Sequence, residues 1–226
     1  MPSFNVPYIV AEAYGETHHV PEEAAHRPAS KCLLGGSYYE PSTHRWVKER
    51  LEKKPGNMIH AGTFFGDMLP SFSKAVGEDY MLYAFEPVLS NYVLAKLTVE
   101  ANGLANVFLQ NSALNSKFEL LKIKTRDGGG TSYGGGSTIS TNGNELITAI
   151  TIDSLGLSDV SLIHLDVELH ELHCLIGAKN TINNYKPMIM VEDHKKTTTP
   201  LLKELGYTNT HGNHDQQCWI HFSDLS

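Results

Sequence analysis

The chain has 226 residues, of which 41% are apolar, enough to bury one sizeable core but without a second hydrophobic block after a linker. It carries 25 acidic against 18 basic residues, and the lack of long Lys and Arg runs argues against nucleic acid as a partner. No apolar stretch approaches the roughly 20 residues of a membrane helix, and the N-terminus carries no secretion or import pattern, so we expect a cytoplasmic protein without membrane contact.

The first predicted elements precede the main run of strands. Residues 1–37 mix Pro, His, Glu and Ala without sustained periodicity and are predicted to form an N-terminal arm or cap. Residues 38–226 are predicted to form the main domain, which begins with a helix at 41–54. Apolar residues recur there at helical spacing, and Gly56 lies just beyond the predicted end of the helix.

The next segment alternates strand and helix. Strands are predicted at 57–61, 80–85 and 107–110, and helices at 67–76 and 89–101. Each strand is short and apolar, and the first two are followed by stretches with apolar residues three and four positions apart. This alternation is typical of a parallel sheet whose crossover helices lie on its faces.

The second half continues the pattern around a glycine-rich segment. Residues 127–138 contain six glycines and are predicted to form a mobile loop without regular structure. Further strands are predicted at 117–125, 146–152, 161–166 and 187–192, and a helix at 171–182. A short helix then precedes residues 207–222, which resemble two strands around a polar turn. We therefore expect an α/β fold in which an antiparallel hairpin closes a mostly parallel sheet with helices on both faces.

Candidate functional residues lie at the ends of the first three strands. Gly62 and Gly66 follow the strand at 57–61, where a turn without side chains lets the backbone approach a ligand and leaves unpaired amides of the next helix facing it. Glu86 ends the following strand, about 20 residues after Gly66, where a carboxylate can accept both ribose hydroxyls. Asn111 ends the third strand. A glycine turn needed only for packing is the alternative, but its combination with Glu86 predicts a nucleoside-bearing cofactor.

Four segments within residues 39–193 carry the most distinctive motifs of the chain. They are NMIHAGTFFGD, YAFEPVLSNYVLAKLTVEANGLANVFLQNSAL, ITIDSL and IHLDVELHELHCLIGAKNTI. Together they resemble the FkbM family of S-adenosylmethionine-dependent methyltransferases, whose members show D-V-G-A-N-x-G, F-E-P, T-L-D-x-L and K-x-D-V-E-G-x-E-x-x-L in the same order. The resemblance implies a Rossmann-like seven-stranded methyltransferase sheet, S-adenosylmethionine as cofactor, and O-methylation of sugars or polyketide-type products.

The resemblance also implies roles for individual residues. The glycines of the turn would border the methionine part of the cofactor, and Glu86 would hold its ribose. Asn111 and Ser112 would lie near the adenine, and Asp166 would face the transferred methyl group. The residues predicted to bind the cofactor are His60, Gly62, Thr63, Gly66, Glu86, Asn111, Ser112 and Asp166.

Four positions depart from the family pattern. His60 stands where the family has Asp and His164 where it has Lys, while Phe64 replaces Asn and Leu169 replaces Gly. An Asp in the first turn would reach the amino group of the cofactor or order the glycine turn. Its replacement by His60 is therefore expected to affect the strength of cofactor binding. A catalytically inactive methyltransferase-fold protein that binds a partner is therefore one alternative function. The retained acids at the strand ends favour an active enzyme.

Methyl transfer to a hydroxyl requires an aligned acceptor and a group that removes its proton. Asp166 and Glu168 end one core strand and His194 follows the neighbouring strand, so we predict that these three catalytic residues converge at the carboxyl edge of the sheet. His194 is a candidate base because imidazole titrates near neutral pH. Alternatively, His194 caps a helix, and Asp166 orients the acceptor or caps the helix that follows.

Twelve histidines raise the question of a metal site, most of all at 166–174 and 211–215. The first of these segments lacks the i, i+4 histidine pair of a zinc helix. The three cysteines are too widely spaced for a structural zinc site and fit reduced thiols. We therefore predict no metal.

The sequence predicts a S-adenosylmethionine-dependent O-methyltransferase that acts on a hydroxyl of a small molecule or glycan. A nicotinamide-dependent oxidoreductase is the alternative enzyme, because its cofactor also uses a glycine turn and a strand-end acid. That alternative lacks the fuller G-x-G-x-x-G motif. The sequence makes no prediction about oligomeric state.

Overall fold

The computed structural model describes residues 5–210 and 216–224. The strands are β1 (Tyr8–Ala13), β2 (Glu16–Pro21), β3 (Asn57–Ala61), β4 (Leu82–Phe85), β5 (Val107–Gln110), β6 (Ala113–Leu114), β7 (Glu119–Lys124), β8 (Thr138–Ile139), β9 (Glu145–Ile150), β10 (Val160–Leu165), β11 (Met188–Glu192), β12 (Tyr207–Thr210) and β13 (Gln216–His221). The helices are α1 (Pro28–Leu34), α2 (Pro41–Lys53), α3 (Leu69–Val76), α4 (Leu89–Ala101), α5 (Glu171–Ile176), α6 (Lys179–Tyr185) and α7 (Thr199–Glu204). In the described part of the chain, none of the helices has both the length and the apolar character needed to cross a bilayer.

The central sheet orders seven strands of the described residues as β12-β13-β11-β10-β3-β4-β5. The five strands from β11 to β5 in this order are parallel, and β13 is antiparallel to both of its neighbours. The predicted mostly parallel α/β sheet with a C-terminal antiparallel hairpin is therefore confirmed. The chain runs outward from β3 to β5 and then returns to β10 on the other side of β3. Open α/β sheets bind their ligands at such a reversal, beyond the carboxyl ends of the strands.

Helices cover both faces of the central sheet because its inner strands are apolar on both sides. All six residues of β10 are buried. On one face α2 and α3 contribute Val47 and Phe72 to the core. On the other face α5, α6 and α7 contribute Leu175, Ile182 and Leu202. The sheet is thus held rigidly, and its strand ends form a fixed platform.

The prediction of one helix at 171–182 is wrong, because the chain forms α5 and α6 with a break at Gly177. A Cβ atom at this position would overlap the carbonyl group of Asn115. The close approach of this loop therefore requires a glycine, and the helix ends there. Smaller differences concern element starts: the strand predicted at 80–85 begins at Leu82, and the helix predicted from residue 67 begins at Leu69.

A second, smaller sheet has the order β6-β9-β7-β8, and the sequence did not predict it as a separate sheet. The strands predicted at 117–125 and 146–152 pair with each other in this sheet as β7 and β9. The prediction that residues 127–138 lack regular structure is partly wrong, because Thr138 belongs to β8, which pairs with β7. The side chain of Asp127 also accepts the amides of Gly129 and Thr131, both within 2.9 Å. Hydrogen bonds therefore offset the entropy cost of ordering the glycines.

Residues 5–37 fold over helix α4. The strands β1 and β2 form an antiparallel hairpin, and Val20 of β2 belongs to a buried cluster with Phe65 and Leu94. Asn102, which follows α4, accepts the amide of Thr17 at 2.9 Å and donates to its carbonyl oxygen at 2.7 Å. The division of the chain into residues 1–37 and 38–226 stays a prediction.

Candidate active site

The glycine turn after β3 is shaped by its contact with the end of β10. Gly62 has φ +88°, and a Cβ atom there would overlap the backbone carbonyl of Asp166. Gly66 has φ +82°, and its Cβ would lie 3.2 Å from Cα of Ala95. Both positions need glycine because other residues rarely adopt this backbone region and because the neighbouring backbone leaves no room for a side chain.

The backbone amides of this turn bond within the protein, which corrects the expectation that they face the cofactor. The amides of Gly62 and Thr63 donate to the carbonyl oxygen of Phe85 at 3.2 and 3.3 Å. The amide of Phe64 donates to Oε2 of Glu86 at 2.8 Å, and the amide of Gly66 donates to the carbonyl oxygen of Thr63 at 2.9 Å. Helix α3 begins only at Leu69, whose amide donates to the carbonyl of Gly66. These amides are therefore not free to bind a ligand anion.

Glu86 lies at the carboxyl end of β4 and is 4% exposed. One carboxylate oxygen accepts the amide of Phe64 at 2.8 Å, and the other accepts the amide of Val88 at 2.8 Å. Burial raises the pKa of Glu86 to about 7, although these hydrogen bonds favour the ionised form. The oxygen bonded to Val88 also accepts a long hydrogen bond from the side chain of Asn91 at 3.5 Å, whereas the other oxygen keeps a second lone pair for a ligand.

Two clefts open along the carboxyl edge of the sheet. The first has a volume of about 490 Å³ and lies between the ends of β3 and β4 and the glycine-rich segment. The second has a volume of about 810 Å³ and extends from the glycine turn toward α1 and the end of β11. The residues that line both clefts are Gly62, Gly135, Asp166 and Glu168. The clefts therefore adjoin each other beside these two acids.

The predicted site residues distribute over these clefts as follows. Gly62, Glu86, Ser112, Asp166 and Glu168 line the first cleft, and His60, Gly62, Asp166 and Glu168 line the second. Thr63, Gly66, Asn111 and His194 line neither. The structure thus brings together most of the predicted residues at the ends of the strands predicted at 57–61, 80–85 and 161–166, and Ser112, which follows the strand at 107–110.

Ser112 and Asn111 differ in what they contact. Ser112 is 1% exposed, and its hydroxyl has no hydrogen-bond partner among the described residues. The side chain of Asn111 donates to the carbonyl oxygens of Glu86 at 2.8 Å and Pro87 at 3.0 Å. Ser112 can therefore bond to a ligand in the first cleft, whereas Asn111 holds the backbone that carries Glu86.

The acids around Asp166 repel one another. The strands β10 and β11 are in register, so Asp166 and Glu192 follow paired residues and share a hydrogen bond. Burial, this hydrogen bond and the charges of Glu192 and Glu168 raise the pKa of Asp166 well above its usual range. Burial and Glu192 also raise the pKa of Glu168, while Arg27 opposes that rise. Ionisation of Asp166 is therefore disfavoured by its burial and by the acids around it.

His60 and His164 form a buried pair on the neighbouring strands β3 and β10. They are 2% and 0% exposed, and their Nδ1 atoms lie 2.9 Å apart, so one ring donates and the other accepts. Burial lowers the pKa of His164 to about 4 and that of His60 well below its usual range. The two positions at which the resemblance expects Asp and Lys are thus occupied by a neutral pair in direct register.

His194 lies at the rim of the site. Its Nε2 is 3.0 Å from an oxygen of Glu192, and its side chain is 54% exposed. Glu192 itself lines the second cleft. His194 therefore contacts a residue of the cleft lining, Glu192.

Sequence reasoning missed Glu192 and Arg27, which both line the second cleft. Glu192 ends a predicted strand next to that of Asp166, and this position was the signal that could have identified it. Arg27 lies in the N-terminal region, where the sequence carries no motif. Only the fold brings it to the strand ends.

The described residues contain no group of three or more His, Cys, Asp or Glu side chains placed to hold a metal ion. In the segment 166–174, His170 instead contacts the side-chain oxygen of Asn115 at 3.1 Å and stacks on His173. The other histidine-rich segment, 211–215, lies outside the described residues. The prediction of no metal stays a prediction.

A family model described as Methyltransferase FkbM domain matches residues 60–211. Among solved structures, a FkbM methyltransferase from Methylobacillus flagellatus KT is similar, with 16% identity and a TM-score of 0.54. The match covers 74% of this chain and 44% of that one, so the chain spans less than half the length of that protein.

Two further structures support the fold. A methyltransferase from Geobacter sulfurreducens has 12% identity and a TM-score of 0.52, with 80% of this chain and 79% of that chain covered. A Podospora anserina methyltransferase bound to S-adenosylhomocysteine (SAH) has 10% identity and a TM-score of 0.52, with 91% and 89% covered. No curated protein matches the chain.

Proposed function

The chain belongs to the FkbM methyltransferase family and uses S-adenosylmethionine as its cofactor, and we propose that it is an O-methyltransferase acting on a hydroxyl of a small molecule or glycan. When bound, this cofactor supplies an electrophilic methyl group on a positively charged sulfur. The proposal rests on the meeting of two clefts beside Asp166 and Glu168. A methyl donor whose nucleoside lies in the first cleft and an acceptor that enters through the second would meet next to carboxylates that can take a proton.

The residues of the first cleft fit the nucleoside part of the cofactor. Glu86 can accept the ribose hydroxyls, because one of its oxygens accepts only the amide of Phe64 and the second hydrogen bond to the other, from Asn91, is long at 3.5 Å. The hydroxyl of Ser112, which lacks a partner among the described residues, can bond to a ring nitrogen of adenine. Val88 and Ile139 supply apolar walls for a flat ring.

The remaining predicted residues support the cofactor less directly. Thr63 and Gly66 hold the turn that closes on Glu86, and Asn111 fixes the backbone after it. His60 lines the second cleft next to the turn. Asp166 lies where the clefts meet and attracts the sulfonium charge.

In this proposal the acceptor enters through the second cleft, whose lining also borders the methionine part of the cofactor, and its proton passes to an acid there. Asp166 and Glu168 line the cleft on the side that borders the donor. Glu192 shares a hydrogen bond with Asp166 and contacts His194 at 3.0 Å. We assign Asp166 as the proton acceptor, Glu168 as a second carboxylate that orients the acceptor, and His194 as the group that carries the proton from Glu192 to solvent.

Matched acceptors test the oxygen specificity. We would incubate the protein with S-adenosylmethionine labelled in the methyl group and with hydroxylated sugars and polyketide-like phenols, each paired with its amine analogue. The proposal predicts label on members of the hydroxyl set and one SAH per methyl transferred. Label on the amine analogues alone would contradict it. Calorimetric titration with SAH and with NAD provides the control for cofactor class.

A further inference from the structure

Arg27 is the one lysine or arginine among the described residues that line the two clefts. Acids dominate the polar lining of the second cleft: it contains Asp67, Asp166, Glu168 and Glu192. S-adenosylmethionine carries two cationic groups, its sulfonium and its ammonium, and one anionic group, its carboxylate. The cleft thus offers several acids for the cations and a single basic side chain for the anion.

The local structure holds Arg27 in place over the cleft. Its backbone is extended, with φ −72° and ψ 153°, because it immediately precedes Pro28 at the start of α1. The glycine-rich segment passes against its side chain: a Cβ on Gly136 would lie 2.6 Å from Nη2 of Arg27, and a Cβ on Gly134 would lie 3.2 Å from its Cγ. Side chains at these two positions would displace the guanidinium, so the glycines make room for it.

The guanidinium is available to a ligand. Among the described residues Arg27 makes no side-chain hydrogen bond and no ion pair within 4.0 Å, and its positive charge acts on Glu168, whose pKa it lowers. A guanidinium presents its N–H groups in a planar fork that matches the two oxygens of a carboxylate. Arg27 therefore has unused donors that face a cleft next to the methyl-transfer site.

The turn amides do not offer an alternative site for the anion. Helix N-termini and glycine turns commonly bind anions through free backbone N–H groups. Here the amides of Gly62, Thr63, Phe64 and Gly66 all donate within the protein. These four amides are therefore not free for a carboxylate, and Arg27 is the basic side chain that the adjoining cleft offers it.

We propose that Arg27 binds the α-carboxylate of S-adenosylmethionine, and that the N-terminal segment thereby forms part of the cofactor site. The inference rests on the proposed placement of the nucleoside at Glu86 and of the methyl group at Asp166. It gives residues 5–37 a role that no sequence motif indicates. An ion pair of 2.5 Å between Arg126 and Glu23 joins the base of the glycine-rich segment to this same region.

The test compares two ligands that differ by one carboxylate. SAH has the α-carboxylate, and S-adenosyl-3-thiopropylamine is the same molecule without it. We expect Arg27→Ala to weaken SAH binding roughly ten- to a hundredfold in calorimetric titration, and to leave the affinity for the thiopropylamine within about threefold. Arg27→Lys should recover part of the SAH affinity, since it keeps the charge but loses the planar fork.

Lys31→Ala is the matched control. Lys31 is exposed on α1, lines neither cleft, and its replacement removes the same charge. It should change neither affinity, which separates a local contact of Arg27 from a general effect of net charge. Thermal melts of all variants verify that they fold.

Two results would overturn the inference: unchanged SAH affinity in Arg27→Ala, or equal weakening of both ligands. The first of these, combined with lost methyl transfer, would assign Arg27 to an anionic group of the acceptor instead. If the unsubstituted protein bound the thiopropylamine normally but Glu86→Ala did not weaken it, the placement of the nucleoside would be wrong. That outcome would refute the proposed cofactor placement independently of Arg27.

Discussion

At the scale of single residues, the pair of His60 and His164 explains how the chain departs from the family pattern without breaking the sheet. An isolated charge at either buried position would be costly, because burial disfavours an ion that has no partner. Replacing Asp and Lys together leaves two neutral rings joined by one hydrogen bond of 2.9 Å. The double departure therefore preserves a paired polar contact between β3 and β10.

This pair makes stability depend on pH. Burial lowers the pKa of His164 from 6.5 to about 4, so the unfolded chain binds a proton that the folded protein resists. Stability is therefore lost as pH falls below 6.5, and the loss levels off below about 4. Within this window, each pH unit lowers the free energy of unfolding by about 1.4 kcal/mol for one such group. Urea unfolding measures how far the free energy of unfolding drops between pH 7 and pH 5. We expect this drop to be about 2 kcal/mol smaller in His164→Gln than in the unsubstituted protein.

The control for this measurement is His26→Gln, which makes the same substitution at an exposed histidine. It should keep the pH dependence of the unsubstituted protein. An identical dependence in His164→Gln would show that the buried pair does not resist protonation.

Glu86 should make nucleoside binding depend on pH, with tighter binding at higher pH. Burial raises its pKa to about 7, so its ionised fraction rises from roughly a tenth at pH 6 to roughly nine tenths at pH 8. Only the ionised form accepts two hydroxyls. The dissociation constant of 5′-methylthioadenosine should therefore fall roughly tenfold over this range, as measured by calorimetry.

In Glu86→Gln that dependence should disappear, and binding at pH 8 should weaken by roughly 2 kcal/mol because charge-assisted hydrogen bonds are lost. Melting temperatures provide the control, since the same side chain also holds the amides of Phe64 and Val88. A variant that melts normally and keeps the pH dependence would remove Glu86 from the cofactor site.

Asp166 and His194 should differ in their effect on turnover. Asp166 lines both clefts, whereas His194 contacts Glu192 at the rim. We expect Asp166→Asn to lower kcat by roughly a hundredfold or more, since an amide keeps the shape but cannot accept the proton. His194→Gln should cost less than about tenfold. Single-turnover rates with saturating cofactor measure both effects, and a larger loss in His194→Gln would reverse the assignment.

At the scale of elements, the sequence predicts best where the apolar periodicity agrees with the residues that begin and end helices and strands. The strand at 57–61 and the helix at 89–101 have the predicted boundaries. The helix at 171–182 was predicted without its break, because the cause is the carbonyl of Asn115, which is distant in sequence. Likewise, nothing local to residues 127–138 reveals that they pair with β7 and contact Arg27. Long-range packing decides these cases, and a single sequence does not display it.

The glycine-rich segment should tolerate side chains unequally. Gly134 has φ +54°, and its Cβ would lie 2.9 Å from Cβ of Ala24 and 3.0 Å from the ring of Phe64. Gly134→Ala should therefore lower the free energy of unfolding by about 1–2 kcal/mol and weaken SAH binding. Gly128→Ala is the matched control, because its Cβ would meet nothing within 4 Å. Urea midpoints that fall equally in both variants would show that the two positions do not differ in packing.

At the scale of the whole molecule, the site is only partly visible in the sequence. The parallel sheet makes strand ends converge, so Gly62, Glu86 and Asp166 could be predicted from their positions alone. Arg27 could not, because its place over the strand ends depends on how the N-terminal hairpin packs on α4. Glu192 could be predicted only in part, since it ends a predicted strand but belongs to no motif.

Because the clefts are lined by segments far apart in the chain, ligand binding should protect those segments together. SAH at a hundred times its dissociation constant adds about 2.7 kcal/mol to the free energy of global unfolding. We expect amide exchange to slow around Arg27, in residues 134–136 and in residues 166–168. The turn at 142–144 lines neither cleft and should change only as far as global stabilisation requires. Protection confined to residues 62–88 would show instead that the cofactor contacts the first half of the sheet alone and leaves the N-terminal segment outside the site.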